Sequence, residues 1–152
     1  MIYYLLVKKQ LSSAEQTRAF GEALGSLLSG GEVLELVGDV GAGKTTFTKG
    51  LAIGLGIDEE VQSPSFTISR VYDARDGLAL AHYDFYRLND AGILRDELRE
   101  VMDDTTVITV IEWADIVEGV LPENRIRITF SAPAEDERVL QIDDPTGILK
   151  TI

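Results

Sequence analysis

Val33-Leu34-Glu35-Leu36-Val37-Gly38-Asp39-Val40-Gly41-Ala42-Gly43-Lys44-Thr45-Thr46-Phe47 runs from a short apolar stretch, through a glycine-rich loop, into a helix-like pattern. Val33 to Val37 reads as a short buried strand. From Lys44 onward Phe47, Leu51 and Leu55 share one helical face, and Gly56 stands as the terminator. Between them, Gly38 to Thr45 matches G-x-x-x-x-G-K-S/T, a pattern whose physics depends on this strand–loop–helix setting. The glycines let successive backbone N–H groups turn inward around β- and γ-phosphates, where a Cβ would obstruct them. The helix that follows adds the partial positive charge of its N-terminus. Lys44 supplies a mobile point charge, and the Thr45 hydroxyl is a natural magnesium ligand. The loop therefore predicts a nucleoside triphosphate cradle over Asp39, Val40, Gly41, Ala42, Gly43, Lys44 and Thr45.

Such a loop needs an acid for magnesium, at the end of a neighbouring strand. Glu112 ends the run Val107 to Ile111, and Asp84 ends the run through Ala79, Leu80 and Ala81. Glu112 is favoured as the metal-facing acid, because its strand is nearly all β-branched or apolar and reads as covered on both faces. Asp84 can serve metal through water or orient the attacking water. Ser63, Ser65 and Thr67 place three hydroxyls in a proline-containing loop, a switch candidate whose order would report a γ-phosphate. A plain Ser-Pro turn is the competing reading. Arg70, Arg87 and Arg138 are the arginines considered for transition-state charge, and an arginine supplied by a partner is equally open. Trp113 reads as core, and His82 as a hydrogen-bonded strand-end residue rather than a base.

The flanking sequence extends an α/β pattern. Ile2 to Val7 reads as a strand, and Ser13 with Gln16 as a capping box before a helix carrying Phe20, Leu24, Leu27 and Leu28. Thr67 to Tyr72 and Leu78 to Tyr83 flank a hairpin turn at Asp73 to Gly77. Ala91 to Val101 reads as a helix with Ile93, Leu94, Leu98 and Val101 inward. Ile126, Ile128 and Phe130 alternate with polar residues in a strand expected to pair with Arg138 to Ile142. The expectation is one P-loop NTPase-like α/β domain over residues 1–152, three-layered, with a mixed, mostly parallel central sheet and β-hairpins.

Composition narrows the chemistry. The 152 residues contain no cysteine and one histidine, which removes thiol catalysis, thiolate zinc sites and multi-histidine metal sites. Apolar runs are far shorter than a membrane span and no export leader opens the chain, so a cytoplasmic protein without membrane partners is expected. A net charge of −12 opposes a broad nucleic-acid-binding face. Asp103-Asp104, Glu135-Asp136-Glu137 and Asp143-Asp144 read as solvated loops, with an acidic docking patch as the alternative.

The P-loop through Phe47, then Ser63-Pro64-Ser65-Phe66-Thr67, His82-Tyr83-Asp84-Phe85-Tyr86-Arg87-Leu88 and Ile111-Glu112-Trp113 together resemble the TsaE family of bacterial ATPases. The motifs keep the family order and span almost the whole chain. The resemblance implies that Gly41 to Thr46, Thr46 included, cradle ATP, and that Thr45 and Glu112 bind Mg2+. It implies that Lys44 and Asp84 are needed for activity, that Trp113 neighbours the site, and that Ser63 and Thr67 belong to a switch-like loop. Ser65 stands where the family usually has threonine, with the hydroxyl kept. The implied role is ATP hydrolysis in support of TsaD- and TsaB-like proteins, which transfer a threonylcarbamoyl group to adenosine beside the anticodon of ANN-reading tRNAs. The tRNA would be met only through that complex. A small-molecule P-loop kinase and a module that binds ATP structurally are the alternatives.

Overall fold

A computed structural model describes residues 5–64 and 66–152. Along them run β1 (Leu5–Leu11), α1 (Ala14–Leu27), β2 (Val33–Val37), α2 (Lys44–Gly54), β3 (Ser69–Asp73), β4 (Ala79–Asp84), α3 (Leu94–Asp103), β5 (Val107–Glu112), β6 (Ile126–Ser131) and β7 (Arg138–Asp144). Short 3-10 segments cover Arg75–Gly77, Ala114–Val120 and Ile148–Thr151. Of the strand expected over Ile2 to Val7, residues 2–4 lie outside the described residues. The observed strand continues to Leu11 because Lys8, Lys9 and Gln10 pair with Gln141, Leu140 and Val139.

The strands form one seven-stranded sheet in the order β1-β7-β6-β2-β5-β4-β3. Strands β6, β2, β5 and β4 run parallel to their neighbours at the centre, while β7, β1 and β3 join antiparallel toward the edges. This is the mixed α/β sheet expected from the sequence. Its centre is apolar on both faces, as parallel strands covered by helices require: Ile108, Val110 and Ile111 have no exposed surface. Both expected hairpins are present, and Asp76 takes φ 58° to turn β3 into β4.

The two faces carry separate cores. On one, Leu34, Leu36, Ile108, Val110 and Ile128 pack with Phe20 and Leu24 of α1 and Phe47 and Leu51 of α2. On the other, Ala81, Tyr83 and Ile111 pack with Leu98 of α3 and with Val117. Side chains alternate along a strand, so Glu112 shares the α2 face with Val110, and His82 and Asp84 share it with Leu80. Strand parity thus places both strand-end acids, Asp84 and Glu112, on the side where the loop's helix lies.

Helices α1 and α2 touch backbone to backbone. A Cβ on Gly21 would collide with the carbonyl oxygen of Phe47, and one on Gly25 with that of Leu51. Reciprocally, Gly50 meets the Arg18 carbonyl and Gly54 that of Glu22. Glycine inside a helix costs about 1 kcal/mol relative to alanine, an expense offset here by an approach no other residue permits. Contacts advance in the same direction along both helices, so the pair is parallel and both N-termini sit at one end. Ser13 caps α1 by accepting from Gln16 N at 3.1 Å, and Gln16 Oε1 accepts from Ser12 N at 2.8 Å, close to the capping box expected. At the other end Arg75 Nη2 donates to the carbonyls of Ser26 and Leu28 at 3.1 and 2.8 Å, covering the helix terminus from the β3–β4 turn.

One expectation is overturned at α3. Ile93, read as inward, is 83% exposed, and Leu98 is the residue buried from that helix. The turn before it explains the change: Asp90 Oδ1 accepts from Gly92 N at 3.0 Å, Gly92 takes φ 54°, and the helix starts only at Leu94.

Candidate functional site

The loop leaving β2 turns at glycines. Gly41 and Gly43 adopt φ 83° and 110°, a region where any side chain would be strained. Ala42 N donates to the Asp39 carbonyl at 3.1 Å, and the Ala42 methyl is buried in the core, pinning the loop from beneath. Above it opens a cleft of about 430 Å³. Val40, Gly41, Gly43, Lys44, Thr45 and Thr46 line it, as do Asp84 and Glu112 from the neighbouring strands. Asp39 faces instead a smaller cavity of about 170 Å³, also bounded by Lys44 and Trp113.

Lys44 begins α2 and is nearly enclosed, 6% exposed. Its Nζ donates to the Gly38 carbonyl at 2.6 Å, stands 3.9 Å from Glu112 Oε1, and lies 4.3 Å from the centroid of the Trp113 ring. Burial pulls the ammonium below the ordinary lysine value, and Glu112, Asp84 and Asp39 offset part of that shift. An ammonium stripped of water in this way favours an anionic ligand as a replacement for lost hydration.

The two acids are neighbours by register. Asp84 pairs with Glu112 across the parallel β4–β5 ladder, each the last residue of its strand. Asp84 Oδ1 accepts from Tyr86 N at 2.9 Å, and its Oδ2 accepts from Ser63 Oγ at 3.4 Å. Glu112 is buried, with Oε2 2.6 Å from His82 Nε2. Thr45 stays exposed at the mouth of the cleft. A hydroxyl, two carboxylates and an ammonium therefore converge on one opening at the tip of α2.

The loop read as a switch divides. Ser63 lines the cleft, Thr67 turns its hydroxyl to the Pro64 carbonyl at 3.4 Å and is not among the lining residues, and Ser65 lies outside the described residues. Phe66, 84% exposed, carries the Arg87 guanidinium 4.3 Å above its ring. The arginines separate too. Arg87 and Arg138 line the cleft, whereas Arg70 is exposed on edge strand β3 away from it. Arg138 Nη1 donates to the carbonyls of Ala134, Glu135 and Glu137 at 3.2, 2.9 and 2.9 Å, and Nη2 reaches Gly41 O at 3.5 Å. It stitches the β6–β7 turn to the P-loop.

Sequence reasoning missed part of the lining. Ala14 and Thr17 reach the cleft because α1 runs parallel to α2; the spacing Gly21, Gly25, Gly50, Gly54 was the available signal. Tyr86, quoted in a motif without a role, lines the cleft and packs 4.8 Å from Trp113. Trp113, read as core from the residues alone and as a neighbour of the site from the resemblance, is half-buried and lines the cleft, at φ 55° beside Lys44. Glu135 and Asp136, read as solvated loop, stay exposed but form a rim of the opening. Among the described residues no helix is long and apolar enough to cross a membrane.

Comparison with known proteins gives the chain a family and a matching fold. The family model described as "Threonylcarbamoyl adenosine biosynthesis protein TsaE" matches residues 11–140. A Bacillus subtilis (strain 168) protein named tRNA threonylcarbamoyladenosine biosynthesis protein TsaE is 40% identical over 133 residues, covering 87% of this chain and 82% of its own. A Treponema pallidum (strain Nichols) protein of the same name is 41% identical over 130 residues, covering 86% and 95%. The crystal structure of Bacillus subtilis YdiB superposes with a TM-score of 0.77 at 34% identity, over 99% of this chain and 93% of that one. With the P-loop, the paired strand-end acids and a sheet of the same architecture in place, the chain belongs to the TsaE family, whose relatives carry the name of tRNA threonylcarbamoyladenosine biosynthesis.

Proposed function

We propose that the chain is a magnesium-dependent ATPase that supports threonylcarbamoyladenosine formation beside the anticodon of ANN-reading tRNAs by acting on a TsaD–TsaB-type protein complex. The observation that carries this reading is the convergence of Lys44, Thr45, Asp84 and Glu112 on the positive-φ glycine loop. The donor set fits the nucleotide and its metal. Gly41 and Gly43 leave the loop's inner surface free of side chains, and the Lys44 ammonium is desolvated in readiness for β- and γ-phosphate oxygens. The Thr45 hydroxyl and the Glu112 carboxylate are hard oxygen ligands of the kind magnesium takes. When bound, magnesium supplies neutralisation of the charge on the phosphate oxygens.

The chain's own groups account for the rest. Lys44 and the loop N–H groups hold the phosphates, with the N-termini of both α1 and α2 directed at the same cleft. Asp84, with Oδ1 held by Tyr86 N and Oδ2 by the Ser63 hydroxyl, is a fixed carboxylate on the cleft wall that orients a water near the terminal phosphate. Arg87 and Arg138 stand where added positive charge would act, and an arginine from a partner is an alternative source. The −12 charge supports docking on proteins that themselves contact tRNA.

Size-exclusion chromatography with TsaD and TsaB in the presence of ATP tests the assignment. Co-elution, with ATPase activity altered by the partners, is expected. No complex would overturn the partner assignment, and a phosphorylated small-molecule acceptor formed from labelled ATP would move the reading to a kinase.

A further inference from the structure

We propose that His82 is a positioning residue for the metal-facing carboxylate: its Nε2–H holds Glu112 Oε2 and leaves Oε1 turned toward Lys44 and the cleft. The proposal rests on the reading of Glu112 as a magnesium ligand and deepens it.

The backbone register sets the contact. His82 pairs with Val110 across the β4–β5 ladder, one alternation before the Asp84–Glu112 pair, and all of these side chains share the α2 face. From there the imidazole reaches Glu112 at 2.6 Å, with both partners buried: His82 is 1% exposed and Glu112 3%. A carboxylate has no proton to give, so Nε2 carries it. His82 Nδ1 is buried and has no hydrogen-bond partner among the described residues. Here one nitrogen is committed wholly to Glu112, and the other is left as the bare acceptor, the role that does not bury an unmet N–H.

Tethering changes what Glu112 can do. The terminal torsion of a glutamate is broad and roughly two-fold, so an untethered carboxylate would rotate freely at the strand end. Glu112 already forms an ion pair with the Lys44 ammonium, 3.9 Å from Oε1, and without the tether it would be free to close to hydrogen-bond distance. With Oε2 fixed by the imidazole, the remaining oxygen keeps one orientation, and both it and Lys44 stay available to separate ligands. An imidazole behind a ligating carboxylate is the kind of outer partner whose loss weakens metal binding by about tenfold to a hundredfold.

The test uses the full tag-free chain with Mn2+ in place of Mg2+ and ADP as the nucleotide. Electron paramagnetic resonance gives the Mn2+ affinity at saturating ADP, and calorimetry in chelator gives the metal-free ADP affinity. His82→Gln can place an amide N–H near the Nε2 position; His82→Asn reaches only as far as Nδ1. We expect His82→Asn to weaken Mn2+ binding by about tenfold to a hundredfold, His82→Gln to restore most of it, and metal-free ADP binding to be unchanged in both. Unchanged Mn2+ affinity in both variants would overturn the positioning role alone. No ADP-dependent Mn2+ binding in the unsubstituted chain would overturn the reading of the site and this inference with it. A measurement on the unsubstituted protein covers the case of a variant that fails to fold. His82 is the chain's single histidine, so nitrogen-15 NMR of the imidazole reports its tautomer without ambiguity. The Nε2–H form is expected, and the Nδ1–H form would overturn the proposal.

Discussion

Asp84 stands directly opposite Glu112 across the parallel β4–β5 ladder, and both carboxylates open into the cleft above the P-loop. Register makes them a pair, but their surroundings differ. Glu112 is held by His82 and lies beside Lys44, whereas Asp84 takes a backbone N–H from Tyr86 and the Ser63 hydroxyl. Two acids in unlike settings are suited to unlike tasks.

Glu112→Gln keeps the shape of the side chain and removes its charge. ATP turnover in saturating magnesium should fall by on the order of a hundredfold or more, as should that of Lys44→Ala, with thermal stability largely kept. Asp84→Asn should lose turnover while retaining metal–nucleotide affinity close to that of the unsubstituted chain. Steady-state kinetics with Mn2+ binding separates the two, and full activity in Glu112→Gln would transfer the metal role to Asp84.

Arg138→Ala should impair nucleotide turnover or affinity, while Arg70→Ala should leave both unchanged. Arg138 lines the cleft and ties Gly41 to the β6–β7 turn, and Arg70 sits on the outer edge of the sheet. Parallel measurement of kcat and KM for the two variants checks this, and equal effects would contradict the placement.

Gly21→Ala and Gly50→Ala should each destabilise the fold by about 1–3 kcal/mol, through collision with the carbonyls of Phe47 and Arg18. Helix propensity alone predicts the opposite sign, since alanine is favoured over glycine in a helix. Urea denaturation followed by circular dichroism decides between them.

Burial, reinforced by the nearby Glu97 carboxylate, pushes the Tyr83 phenol from 10.0 to about 12. Its folded value lies above its unfolded one, so its contribution to stability is complete below pH 10.0 and is lost as pH rises through about 12. Thermal melts across that window should show a steeper loss of stability for the unsubstituted chain than for Tyr83→Phe. Coincident curves would refute the assignment.

Much of the site was legible beforehand because its determinants are local. Glycines at Gly41 and Gly43, lysine at Lys44 and a hydroxyl at Thr45 have fixed offsets in a strand–loop–helix, and those offsets are geometry. Glu112 and Asp84 could be named because strand ends are marked by where apolar runs stop. Ile93 could not be placed, since the Asp90–Gly92 turn shifts the helix start and rotates it outward.

The chain's local chemistry determined the phosphate loop, the strand-end acids and the α/β alternation, each set by spacing along a few consecutive residues. Tertiary structure decided which distant residues complete the site. Parallel packing of α1 on α2 through four glycines brought Ala14 and Thr17 to the cleft, and the β6–β7 hairpin brought Arg138. Strand register put His82 within 2.6 Å of Glu112, turning a histidine read as a strand-end residue into a neighbour of the site. Those contacts join positions far apart in sequence, and no local pattern encodes the angle or register at which two packed elements meet.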